Sequence, residues 1–135
     1  MDLHKISTKQ TGEHAIAGVV SGLMELGDQV TWRAKHLGIW QTLTSKITAM
    51  EAPDLFVDEM VKGAFKSFRH EHHFKPKDGA VLMIDHFEYF APLGWLGNLA
   101  DRLFLENYVK RLLLKRNQVI KAYAESDKWQ TILPY

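Results

Sequence analysis

The stretch AFKSFRHEHHFKPKDGAVLMIDHFEYF, residues 64–90, decides the fold class. Residues 64–75 and 80–90 each alternate apolar and polar side chains, which is typical of a β-strand with two different faces. Between them, the segment PKDG at 76–79 predicts a tight turn, because proline presets φ and glycine readily adopts a positive φ. The stretch therefore predicts an antiparallel hairpin.

The same alternation extends upstream of this hairpin. Further strands are predicted at residues 29–35, 41–50 and 55–62, and Gly63 ends the last of them. Five strands joined by short turns favour an antiparallel meander over residues 28–90. Residues 1–27 are mixed in character and contain Gly12, Gly18, Gly22 and Gly27.

Downstream of the hairpin, one long helix is predicted over residues 95–126, followed by a tail at 127–135. From Leu105 the apolar residues recur at about 100° per residue, which places them on one face: Leu105, Tyr108, Val109, Leu112, Leu113, Val119, Ile120 and Tyr123. Leu103 and Phe104 point about half a turn away by the same spacing. The helix therefore either bends near Leu105 or packs against something different at its start.

Composition sets limits on the function. The 135 residues fit one domain, 1–135, and 46% of them are apolar. The absence of cysteine excludes a disulfide scaffold, a thiolate zinc site and a cysteine nucleophile. A net charge of +1 gives no basic field for nucleic acid, and no apolar run reaches the ~20 residues that span a bilayer. We expect a cytoplasmic protein with no nucleic-acid partner and no transmembrane segment.

Five segments of the chain resemble bacterial members of the SRPBCC superfamily. They are WRAKH at 32–36, FVDEM at 56–60, GAFKSFRHEH at 63–72, MIDHFEY at 83–89 and PLGWLG at 92–97. The resemblance runs from about residue 3 to about residue 125, and its motifs are specific for the superfamily and weak for any one activity. It implies an α+β helix-grip fold, in which a curved antiparallel meander sheet packs on one long C-terminal helix. START-related lipid-transfer domains, polyketide cyclases and the major birch pollen allergen share this fold.

The N-terminus departs from the family pattern. Such domains usually open with a strand that pairs beside the last strand, followed by a helix. The resemblance implies that residues 1–27 are a remnant of this N-terminal helical region, and that the strand and most of the first helix are missing. A misplaced start codon is an equally good explanation for the short N-terminus. The resemblance then leaves Val81 to Tyr89 as an open sheet edge, and an exposed apolar edge invites pairing. We expect a homodimer or strand exchange through this edge; a monomer in light scattering, with the edge covered by its own chain, would contradict it.

The helix-grip resemblance also implies a cavity between the sheet and the helix, lined by apolar side chains and a few polar groups. Strand alternation and the helical stripe give its candidate lining: Trp32, Phe68, His70, His72, Phe74, Met83, Asp85, Phe87 and Tyr89 from the sheet, and Leu105, Tyr108, Val109 and Leu112 from the helix. The predicted function is the binding of a small hydrophobic molecule there. A core filled by the same side chains is the plain alternative. Residues 93–103, with their two glycines, are expected to form a movable flap at the cavity mouth.

Two histidines and an aspartate are the candidate chemical groups. His70 and His72 are two residues apart on one strand, so both project to the same face, and Asp85 follows on the next strand. They could fix the polar end of a ligand. Alternatively, His70 could serve as a general base oriented by Asp85 in a cyclase or dehydratase. A third alternative is a protein-interaction module that uses the open edge.

Other polar residues receive weaker assignments. Asp58 shares a strand face with Phe56 and Met60, which could place it inside the cavity. A histidine pair needs a third ligand and supporting hydrogen bonds before it holds a metal, so we expect no metal and no cofactor.

Overall fold

The computed structural model describes residues 5–6, 12–36, 39–63, 65–90 and 99–131. Its strands are β1 (His14–Gly18), β2 (Gln29–His36), β3 (Ile39–Glu51), β4 (Leu55–Lys62), β5 (Ser67–Lys77) and β6 (Ala80–Phe90). Helix α1 (Leu99–Ala124) follows, and a short 3₁₀ helix (Asp127–Thr131) comes after it. Within these residues, no helix is long and apolar enough to cross a membrane.

The six strands form one antiparallel meander sheet in the order β1-β2-β3-β4-β5-β6. The predicted fold class is therefore confirmed, and the five predicted strands are β2 to β6. Strand β1 corrects the assignment to a helical remnant for residues 14–18, whereas the described residues 5–6 are helical. Strand β1 has five residues, most of them exposed, so it carries little of the apolar alternation by which longer strands are recognised.

Gly18 allows the end of β1 to approach the backbone of β2 closely. Its φ is 80°, and a Cβ there would lie 2.2 Å from the backbone oxygen of Gln29. The same oxygen accepts a hydrogen bond from the amide of Val19 at 2.8 Å. Only glycine fits this close approach without displacing the neighbouring backbone.

Strand β6 is the outermost strand on the other side of the sheet. Among the described residues, nothing pairs with its free edge. Val81 and Phe90 on this strand are 66% and 68% exposed. The predicted open edge is thus present in the described part of the chain, and the homodimer through it stays a prediction.

Helix α1 turns its apolar stripe towards the sheet. Leu105, Val109 and Val119 are buried, whereas Leu103 and Phe104 are about half exposed. The predicted half-turn shift of the apolar pattern before Leu105 is therefore visible in the structure. The predicted helix start at residue 95 and most of the predicted flap at 93–103 lie outside the described residues.

Strand register brings the candidate polar residues together. Asp58 on β4 pairs with His70 on β5, which pairs with Phe87 on β6. The neighbouring row joins Phe56, His72 and Asp85 in the same order. Because directly opposed residues of antiparallel strands project to the same face, these two rows form the floor beneath the helix.

Candidate functional site

A cavity of about 380 Å³ lies between the sheet and α1. Eight of the predicted lining residues surround it: Trp32, Phe68, His70, Phe87, Leu105, Tyr108, Val109 and Leu112. Most of the remaining lining is apolar, as expected for a site that removes hydrophobic surface from water. The polar residues that the sequence analysis did not assign to it are Glu13, His36, Gln41, Ser45 and Arg116.

Five predicted lining residues lie elsewhere: His72, Phe74, Met83, Asp85 and Tyr89. Alternation predicts the face of the sheet to which a side chain projects, but it does not predict which positions along the strand reach the cavity. Phe74 and Met83 sit near the β5–β6 turn, where Phe74 stacks on Phe56 with ring centroids 6.0 Å apart. Tyr89 lies near the other end of β6 and packs against Phe65.

His72 and Asp85 belong to a buried polar cluster that adjoins the cavity. The cluster comprises Asp58, His70, His72 and Asp85, and its two imidazole rings lie 3.8 Å apart. Nε2 of His70 is 3.0 Å from Oδ1 of Asp85, and Nε2 of His72 is 2.7 Å from Oδ1 of Asp58. Both rings are less than a tenth exposed, so these contacts are shielded from water. The predicted proximity of His70, His72 and Asp85 is therefore present in the structure.

The contacts within the cluster determine where its protons lie. Nδ1 of His72 is 3.3 Å from Oδ1 of Asp85, so both nitrogens of this ring face carboxylates. A neutral imidazole has one N–H and an imidazolium has two. Burial alone would lower the pKa of His72, but the hydrogen bonds to Asp58 and Asp85 outweigh it and raise that pKa. The two carboxylates therefore favour the protonated form of His72.

Asp85 joins the cluster to the helix. Its Oδ2 accepts a hydrogen bond from Nδ2 of Asn117 on α1. Burial opposes ionisation of this carboxyl, but the hydrogen bonds from His70, His72 and Asn117 outweigh it and hold its pKa far below the ordinary value. Asp85 is therefore a carboxylate at neutral pH, and it links strands β5 and β6 to the helix.

Aromatic rings enclose the two imidazoles. Phe56 stacks on His72 with centroids 4.0 Å apart and an interplanar angle of 12°. Phe87 meets His70 edge to face at 5.2 Å. A protonated ring against an aromatic face gains cation–π attraction, so the stacking of Phe56 also favours protonation of His72.

A second set of polar side chains lines another part of the cavity wall. It comprises Glu13, His36, Tyr108 and Arg116. Glu13 is buried and forms an ion pair with Arg116 of α1. Nδ1 of His36 is 2.7 Å from the hydroxyl of Tyr108. Burial lowers the pKa of His36, raises that of Tyr108, and lowers that of Arg116 to about 10. His36 and Tyr108 are thus held neutral, while the charges of Glu13 and Arg116 compensate each other.

Asp58, His70 and His72 are the candidate ligands for a metal ion in the described part of the chain. One donor atom from each lies within 4.8 Å of the others. The same atoms already take part in the contacts between the histidines and the carboxylates, and a metal would have to displace protons from them. The geometry therefore accounts for these side chains without a metal.

The outer face of the sheet carries the other half of the histidine-rich segment. Arg69 forms an ion pair with Glu71, and Nε2 of His73 is 3.0 Å from Oε1 of Glu71. The run from Arg69 to His73 is thus divided between two faces, as its alternation predicts, and only His70 and His72 reach the interior.

Several crystal structures share this architecture. TTHA0849 from Thermus thermophilus is 16% identical with a TM-score of 0.65, over 93% of this chain and 84% of that one. Major latex-like protein 151 from Panax ginseng is 18% identical with a TM-score of 0.60, over 90% and 82% of the two chains. Ara h 8.0201 is 9% identical with a TM-score of 0.59, over 90% and 84%.

At these identities the likeness concerns the fold. No protein-family model matches the sequence, and no curated protein matches it either. The chain has the helix-grip fold that the sequence resemblance implies.

Proposed function

We propose that the protein binds a small hydrophobic molecule in the cavity between the sheet and α1. The observation that carries the proposal is a largely apolar cavity of about 380 Å³ with polar groups at two places in its wall. Apolar area removed from water contributes about 25 cal/mol per Å², so a ligand of this size gains affinity mainly by burial. The polar groups then determine its orientation.

A helix substitution tests this proposal. Leu112 faces the cavity, and tryptophan there would fill part of the space that a ligand needs. We expect Leu112→Trp to weaken binding of the uncharged fluorescent probe N-phenyl-1-naphthylamine at least tenfold, about 1.4 kcal/mol. Titration of probe fluorescence measures the dissociation constant.

Leu114→Trp is the matched control for this substitution. Leu114 lies on the same helix and is 52% exposed, so the same change there leaves the cavity open and binding at the wild-type level. Equal affinities in Leu112→Trp and the wild type would place the probe outside the cavity. Absence of probe binding in the wild type would argue against ligand binding altogether.

We infer a second candidate function from the contact between His70 and Asp85. His70 lines the cavity, and its Nε2 lies 3.0 Å from the carboxylate that would orient it as a general base. Such a base suits an aldol-type cyclisation of a bound ketone, or the loss of water from a bound β-hydroxy ketone. Turnover of short polyketone substrates, followed by mass spectrometry, should fall at least 100-fold in His70→Asn while probe binding persists. Turnover that survives this substitution would exclude His70 as the base.

A further inference from the structure

A small side pocket of about 70 Å³ adjoins the cavity. Most of its lining residues also line the cavity, and the charged and polar side chains common to both linings are Glu13, His36, Gln41 and Arg116. A water molecule in the liquid occupies about 30 Å³. The side pocket therefore has room for one polar group of a ligand whose apolar body lies in the cavity.

Arg116 has a hydrogen-bond donor that the protein does not use. A guanidinium carries five N–H donors and no acceptor. Nη2 of Arg116 donates to Oε2 of Glu13, whereas Nε is buried and has no hydrogen-bond partner in the described part of the chain. A buried donor without a partner loses its hydration energy, and the loss is larger for a charged group. An acceptor atom of a ligand would recover this energy.

The neighbouring contacts hold Arg116 in place and leave this donor available. Glu13 is 6% exposed and the Arg116 side chain is 20% exposed, so the ion pair between them is largely shielded from water. His36 bonds to Tyr108 through Nδ1, and its Nε2 is 3.8 Å from Oε1 of Glu13, too far for a hydrogen bond. Because Glu13 already compensates the charge of Arg116, the acceptor of the ligand can be a neutral oxygen.

We propose that the cavity selects apolar ligands that carry a carbonyl oxygen, and that the guanidinium of Arg116 donates a hydrogen bond to this oxygen. The proposal rests on the proposed ligand binding and adds the chemical class of the ligand. The apolar body packs against Val109 and Leu112, and the carbonyl group projects into the side pocket. A ligand without an acceptor would leave Nε without a partner. Arg116 is thus the specificity-determining residue.

Two probes of the same shape test this selectivity. The first is the ketone 2-acetylnaphthalene, and the second is the alkene 2-isopropenylnaphthalene, in which a methylene group replaces the carbonyl oxygen. Displacement of N-phenyl-1-naphthylamine at pH 7 measures both dissociation constants. The ketone is better solvated by water than the alkene, so the affinity of the ketone relative to the alkene is compared between protein variants, where this difference cancels.

Variants at Arg116 provide this comparison. The starting variant is Glu13→Gln, which keeps the guanidinium, so that Arg116→Met can then be added without leaving a buried carboxylate unpaired. We expect the addition of Arg116→Met to lower the relative affinity for the ketone at least tenfold, as for loss of a hydrogen bond from a charged donor.

Lys115→Met in the same Glu13→Gln background is the matched control. Lys115 is the preceding residue on α1 and is exposed, so the same change there removes a positive charge without touching the cavity. The relative affinity for the ketone should stay within threefold of the Glu13→Gln value. A relative affinity that does not change with Arg116→Met, or that falls equally in the Lys115→Met control, would exclude Arg116 as the donor.

The infrared spectrum of the bound ketone tests the hydrogen bond in the wild-type protein. A hydrogen bond to a carbonyl oxygen weakens the C=O bond. The stretching band of bound 2-acetylnaphthalene, isolated in an isotope-edited difference spectrum, should therefore lie at a lower wavenumber than in cyclohexane. A band at the cyclohexane position would overturn the proposal, and this readout holds even if the variants fail to fold.

The alkene separates the proposed function from the selectivity. If both probes displace the fluorescent probe but neither the band nor the relative affinity indicates a hydrogen bond, the proposed function stands and the selectivity is wrong. If neither probe displaces the fluorescent probe, both are wrong.

Discussion

Asp85→Ala should lower the free energy of unfolding by about 3–5 kcal/mol, which is the usual loss when one partner of a buried charged pair is removed. The reason is that the variant leaves His70, His72 and Asn117 without their common acceptor. The imidazolium of His72 would then have Asp58 as its remaining carboxylate partner. An uncompensated polar group away from water loses its full hydration energy.

Urea denaturation followed by tryptophan fluorescence measures this change. Glu88→Ala is the matched control, because Glu88 lies on the same strand and is exposed on the other face. We expect Glu88→Ala to lower the free energy of unfolding by less than about 0.5 kcal/mol, as for most surface substitutions. If Asp85→Ala lost no more stability than Glu88→Ala, the cluster would not contribute to folding.

His72→Asn should lower the free energy of unfolding by about 1.5–3 kcal/mol at pH 6, as expected for hydrogen bonds to a charged group. The deficit should shrink as the pH rises to 9. His72 has a pKa raised above its ordinary value of 6.5 in the folded protein. Its stabilisation is therefore fully present below pH 6.5 and is lost as the pH rises through the higher folded pKa.

The other titrating groups either change the stability in a different pH range or contribute equally to the wild type and the variant. The depressed pKa of Asp85 stabilises the fold above about pH 3.8, and this contribution is lost as the pH falls below that value. His36 has the opposite sign to His72, because its lowered pKa gives a contribution that is present above pH 6.5 and lost as the pH falls. His36 is unchanged in the variant, so it drops out of the difference. Asp58, Asp85 and His70 are the charged and titratable groups that face His72.

Denaturation curves of both proteins between pH 5.5 and pH 9 provide the measurement. Val119→Ala is a suitable control, because Val119 is buried and does not titrate. The stability difference between wild type and Val119→Ala should be the same at every pH in this range. A difference between wild type and His72→Asn that is equally flat would contradict a cationic His72.

Much of the fold could be predicted because its long elements carry clear periodicity. Strands β5 and β6 have 11 residues each and alternate throughout, and α1 has a stripe from Leu105 that the structure buries. Strand β1 escaped prediction because five mostly exposed residues contain little hydrophobic signal. Its position depends on pairing with β2, which is a tertiary contact.

The candidate site was predicted in part, again because strands β5 and β6 alternate clearly. Alternation placed His70, His72 and Asp85 on one face, and the register brings them within hydrogen-bond distance. It could not show that His70 borders the cavity while His72 and Asp85 lie behind it. The ion pair between Glu13 and Arg116 joins residues 103 positions apart. It depends on how α1 crosses the sheet, which local sequence patterns do not encode.

The hydrogen bond from Asn117 to Asp85 has a consequence for the protein before it binds a ligand. It fixes one point of α1 against β6, and β6 is held to β5 and β4 through the polar side chains of Asp58, His70, His72 and Asp85. Large apolar side chains alone tend to close any gap until they reach the packing density of a solid core. A directional polar contact instead sets a minimum distance between helix and sheet. The cavity is therefore formed before any ligand arrives, and a ligand would enter without first having to separate two packed surfaces.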